Sequence, residues 1–180
     1  MKSRDVVLTA VFAAFGSIME ILPFDLPFPL FPRLTLDPTG IPLALAAYLY
    51  GGRIAAASTL ITALVISMPR FGKPPNPTGA FFKGLAELAT IVGITASRGL
   101  WRGWKSMAFT SALVSVVIRC AVMAAANYVF LPILVGIPPH IALSLLWVIT
   151  LFNVMQGLIN VAGALLIYRV MRKAGYDLSS

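Results

Sequence analysis

Apolar residues run almost unbroken over positions 6–22, 41–50, 54–68, 80–97, 107–135 and 141–168. Runs of this length and apolarity predict helices, and the segments between them carry the breakers. The first break, residues 23–40, holds Pro23, Pro27, Pro29, Pro32 and Pro38. Each proline removes a donor and fixes φ, so a helix is denied there. Gly51-Gly52-Arg53 interrupts the stretch 41–68, which reads either as two short helices or as one kinked helix. The break at 69–79 is again rich in Pro and Gly, residues 98–105 are basic, and Pro138-Pro139 precedes the last run.

Composition turns these helices into membrane spans. Of 180 residues, 59% are hydrophobic and 11% charged, whereas soluble domains hold about 45–50% and about 25%. A bilayer core of about 30 Å takes about 20 helical residues, so six spans use about 120 of the chain. Too little remains for a soluble domain, and residues 1–180 are read as one integral membrane domain. The first run also fits a signal peptide, with Lys2 and Arg4 before it and Ala13, Ala14, Gly16 and Ser17 near a cleavage site. A first membrane helix is the reading adopted.

The formal charge is +8. Its basic residues lie between apolar runs rather than on one basic face, which argues against nucleic acid. Cytoplasmic loops are enriched in Lys and Arg. Six spans with an inside start put Lys2, Arg4, Arg53, Arg98, Arg102, Lys105, Arg169, Arg172 and Lys173 inside, against Arg33, Arg70 and Lys73 outside. Merging 41–68 into one span reverses that bias. The fold expected is therefore an all-α membrane protein with six transmembrane helices and both termini cytoplasmic. A lone Cys120 and a lone His140 exclude an internal disulfide and a Cys/His zinc site.

Charges at bilayer depth cost at least about 2.5–3.5 kcal/mol each and are usually paired or functional. Counting about 20 residues outward from each basic end sets their depth below the outer surface. Lys83 comes at about 7 Å, Glu87 at about 13 Å, Arg119 at about 9 Å, Asn153 at about 6 Å and Gln156 at about 10 Å, with Asn127 at the interface. Lys83 and Glu87 share one helix face, as do Asn153, Gln156 and Asn160. The expectation is a polar pocket open to the outside and lidded by the Pro/Phe loop. Asn127, Asn153 and Gln156 are read as ligand contacts. For Glu87 and Arg119 two roles stand open: helix-packing ion pair, with Lys83 as another partner for Glu87, or ligand site. Phe24, Phe28, Phe31, Tyr128 and Trp147 can stack on a planar ligand, although single interfacial aromatics commonly serve as belt.

The chain carries no phosphate loop, no H-E-x-x-H and no nucleophile elbow. A binding or transport subunit is therefore expected rather than an enzyme.

Three stretches carry a resemblance. They are Pro27-Phe28-Pro29-Leu30-Phe31-Pro32 followed by Asp37-Pro38-Thr39-Gly40-Ile41-Pro42, Asn127-Tyr128 followed by Pro132, and Phe152-Asn153-Val154-Met155-Gln156-Gly157. In order and position they resemble the substrate-binding S component of energy-coupling-factor (ECF) transporters, riboflavin type. The resemblance implies capture of a vitamin, riboflavin first, at the outer face of the membrane, as cargo rather than as a cofactor. It places flavin contacts on Asn127, Asn153 and Gln156, where Gln156 stands for the usual Lys and brings no charge. Lys83, in Lys83-Gly84-Leu85-Ala86-Glu87-Leu88 where Gly-Glu-Leu-Ala is usual, is expected to supply the missing charge. Glu87, Tyr128, Phe31 and Leu36 complete the implied site. It also implies docking on a membrane coupling protein, EcfT, through Ala10 and Ala14, with two ABC ATPases as further partners. Two rival readings remain: an S component for another vitamin or a nucleobase-like precursor, and a non-transporting membrane scaffold whose polar groups only hold helices together.

Overall fold

The computed structural model describes residues 2–22, 24–32, 34–69 and 74–175. Pro23, Arg33, Arg70 and Lys73, named above, lie outside the described residues. Six helices form: α1 (Ser3–Ile21), α2 (Gly40–Tyr50), α3 (Gly52–Ser67), α4 (Pro77–Ala96), α5 (Trp104–Val135) and α6 (Pro139–Lys173). A 3-10 turn, Ser97–Leu100, extends α4. The proline-rich first loop folds into a small antiparallel ribbon, β1 (Leu26–Pro27) on β2 (Thr35–Leu36).

The helix ends follow local chemistry. Asn76 accepts the Gly79 N–H at 2.8 Å and caps α4, with Pro77 in the first turn, where a missing donor costs nothing. Gly51, at φ +92°, breaks 41–68 into two helices. That backbone region is essentially reserved for glycine.

Side-chain pairs fix the helix directions. Ser58 and Thr62 donate to the Thr9 and Ala13 carbonyls at 3.1 and 3.3 Å, so α1 and α3 run parallel. Phe12 meets Tyr50 edge-on while Gly16 abuts Leu43, so α2 runs against α1. Gly84 faces Ala63 and Gly52 faces Thr95, which makes α3 and α4 antiparallel. Gly93 packs on Ser115 while Arg119 reaches Thr90, which turns α5 against α4. Arg119 bonds Asn153 while Arg169 lies over Trp104, which turns α6 against α5. The six helices thus alternate in direction, and both ends of the described chain fall on one side with the nine basic residues grouped above.

The apolar core occupies that basic half, where Phe12, Ala44 to Leu49, Ile91, Ile94, Met107, Val161 and Leu165 pack together. Tyr48 donates to Ser111 at 2.7 Å within it. Among the described residues, three helices are long and apolar enough to cross a membrane: α4 with its 3-10 turn, α5 and α6. Helix α2 has 11 residues, about 16 Å, short of a core of about 30 Å. The missing length is made up by the loop, whose residues Leu36, Asp37 and Thr39 are buried in the opposite half of the bundle. Non-helical backbone at membrane depth is tolerated where protein covers it or where it lines a cavity.

Candidate ligand-binding site

A cavity of about 330 Å³ opens in the half of the bundle away from the basic end, between the first loop, α4, α5 and α6. Its volume lies within the range of small-molecule sites, about 300–1,000 Å³. Its lining mixes apolar side chains, Ile66, Phe82, Met123, Leu131, Ile149 and Phe152, with polar ones, among them Lys83, Glu87, Arg119, Asn127, Asn153 and Gln156. That mixed lining suits an amphipathic solute.

Two networks hold the polar side chains. In the inner one, Arg119 Nη1 donates to Glu87 Oε1 and Thr90 Oγ1, both at 2.9 Å, and Arg119 Nε donates to Asn153 Oδ1 at 3.1 Å. Asn160 Nδ2 donates to both Glu87 oxygens at 2.9 and 3.0 Å. Gly40 opens α2 against this cluster, and a Cβ there would overlap Asn160 Nδ2 and Glu87 Oε2. The Glu87 carboxylate thereby sits at the positive end of the α2 dipole. In the outer network, Lys83 bridges Glu20 of α1 and Asp37 of the loop, the latter at 2.8 Å, and donates to Thr39 Oγ1 at 3.2 Å. Thr39 Oγ1 in turn donates to Glu20 at 3.1 Å. Gln156 joins the networks: its Oε1 accepts the Asp37 N–H at 3.2 Å, and its Nε2 donates to the Asp37 carbonyl at 2.6 Å and to Asn160 Oδ1 at 3.0 Å.

This architecture recurs in known proteins. A structure titled "Structure and mechanism of the S component of a bacterial ECF transporter" superposes with a TM-score of 0.83 at 21% identity, covering 98% of this chain and 100% of that one. The fold is that of an ECF transporter S component. A biotin S component from an ECF-type ABC transporter matches more loosely, with a TM-score of 0.60 and 14% identity over 93% of this chain and 92% of that one. In sequence, the riboflavin transporter RibU of Staphylococcus aureus (strain TCH60) is 25% identical over 175 residues, 93% of this chain and 90% of that protein. No protein-family model matches. The S-component fold and the long apolar helices make this a multi-pass protein of the cell membrane.

Within this S-component fold, Asn127, Asn153, Gln156, Lys83 and Glu87 all line the cavity. Three others do not. Tyr128 is 48% exposed and points outward, because it follows Asn127 by a single residue, about 100° around the helix. Phe31 and Leu36 pack with Phe28, Leu34, Val148 and Phe152 beneath the ribbon, where they support the loop from behind. Phe24 and Trp147, read as stacking candidates, are also exposed. Lys83 faces Glu20 and Asp37, and Glu87 takes Arg119 as its partner, so the open pairing resolves into two separate clusters. Ala10 and Ala14 are exposed on α1, while Ala13 between them is buried. Glu20 was missed as a site residue, although a charge in the outer turn of an apolar helix carries the same signal that singled out Lys83.

Proposed function

We propose that this protein is the vitamin-capturing S component of an ECF-type ABC transporter, with riboflavin as its ligand. The observation that carries the reading is the cavity, lined by apolar side chains together with amide and charged ones, in a chain similar to RibU over 93% of its length. A planar ring with carbonyl and ring-nitrogen groups buries its faces on Phe82, Met123, Ile149 and Phe152 and directs its polar edge toward the α5 and α6 side chains. An unpaired buried polar group costs about 1–3 kcal/mol, which favours the ligand that completes the set. The first loop, anchored through Asp37, excludes water over the bound ring.

The pocket opens to the outside when the basic end is cytoplasmic, the side that Lys and Arg select. Uptake then requires EcfT, docked on the Ala10 and Ala14 face of α1 where small residues allow close helix approach, and two ABC ATPases. These partners must bind the loaded and empty states with different affinity, since a partner without that difference shifts nothing. Titrating riboflavin into the detergent-purified protein should quench flavin fluorescence to saturation at one equivalent. Saturable binding of another vitamin with none of riboflavin would overturn the ligand assignment; a protein that binds no vitamin would overturn the transport reading.

A further inference from the structure

The polar side chains of the cavity are crowded, and most of their hydrogen-bonding capacity is already taken. Lys83 directs its ammonium donors to Glu20, Asp37 and Thr39. Gln156 uses both N–H bonds and its oxygen on Asp37 and Asn160. Arg119 differs. Its Nε is held by Asn153 and its Nη1 by Glu87 and Thr90, with the Ala86 carbonyl further off at 3.4 Å. Its Nη2 makes no hydrogen bond to any described residue. Among the described residues, Thr9 Oγ1 is the only fully buried side-chain polar atom without a partner. Arg119 Nη2 is therefore open to the cavity that Arg119 lines, on a residue only 2% exposed. A guanidinium pinned on two of its three nitrogens, with the third facing the cavity, is a preorganised donor.

We infer that Arg119 is a ligand-contacting residue, whose Nη2 donates to a carbonyl oxygen of the bound ring at the inner end of the cavity. The inference rests on the flavin reading and adds to it the group that reads the ring's acceptor edge. Glu87, Thr90 and Asn153 are positioning residues: they fix the guanidinium plane so that Nη2 meets the acceptor without rearranging. Charge-assisted hydrogen bonds are shorter and about twice as strong as neutral ones. Replacing the carbonyl oxygen by sulfur weakens the acceptor and leaves the ring otherwise intact, so a thiocarbonyl ligand isolates this contact.

The test measures affinities of riboflavin, 2-thioriboflavin and 4-thioriboflavin by fluorescence or absorbance titration. The wild type should prefer riboflavin to one of the thio analogues at least tenfold. Glu87→Gln/Arg119→Gln leaves no unpaired buried charge and should reduce that preference to less than threefold. Arg119→Lys retains a cation for Glu87, lacks the free third nitrogen and should give the same collapse, which covers the case in which the double variant does not fold. Full discrimination in a folded variant of either kind, or none in the wild type, would overturn the role of Arg119 while leaving the flavin reading intact. No flavin binding by the wild type would overturn both. A purely structural Arg119 would lower the unfolding temperature without changing the ratio between ligands.

Discussion

Gln156 shows how a side chain read as a ligand contact can be held by other partners. Its carboxamide is closed on both backbone groups of Asp37. It ties α6 to the first loop. Two hydrogen bonds of about 0.5–1.5 kcal/mol each are at stake. Gln156→Ala should therefore speed riboflavin dissociation about tenfold with a much smaller change in association, as read by stopped-flow fluorescence. A variant that slows association instead would return Gln156 to ligand contact. Asp37 holds the same loop from its side chain, which pairs with Lys83 and accepts the Thr39 N–H. Asp37→Asn removes the charge that Lys83 faces and should weaken riboflavin binding, as read by fluorescence titration of both proteins.

Among the elements, α1 shows two faces of different use. Its inner face carries Thr9, Phe12, Ala13, Gly16 and Glu20 against the bundle. Ala10 and Ala14 lie on the other, among exposed Val7, Val11, Phe15 and Ile18. Ala10→Leu/Ala14→Leu should abolish ATP-driven riboflavin uptake by vesicles holding the full transporter, yet leave riboflavin affinity of the isolated protein within twofold. Loss of affinity would show that α1 shapes the cavity instead. The helices themselves were legible because a long apolar run bounded by Pro, Gly or a basic segment leaves little choice when a bilayer supplies no partner for free backbone groups. The break at Gly51 was legible for the same reason. The short reach of α2 was legible in the run 41–50, but the folding of the preceding loop into the bundle was not; that follows from Asp37 and Thr39 meeting Lys83, Glu20 and Gln156, contacts made across 19 to 119 residues of chain.

At the scale of the whole molecule, the bundle is packed at its basic end and hollow at the other. That asymmetry suits capture on one side of a membrane, and the basic end sets which side. A reporter fused to the C terminus should be active only in the cytoplasm, and a protease added outside spheroplasts should leave it intact; external cleavage would invert the topology. The sequence by itself determined the number of helices, their alternation, the basic end and the half of the bundle in which Asn127, Asn153, Gln156, Lys83 and Glu87 meet. Each of these depends on hydrophobicity and on residues close together in the chain. Only the tertiary structure decided which polar groups are used up on one another and which remain open. Lys83 closes on Glu20 and Asp37, Gln156 closes on the loop, Tyr128 turns outward, and Arg119 keeps one nitrogen free. Hydrogen-bond capacity is shared among helices distant in sequence, so its balance exists only once they are packed.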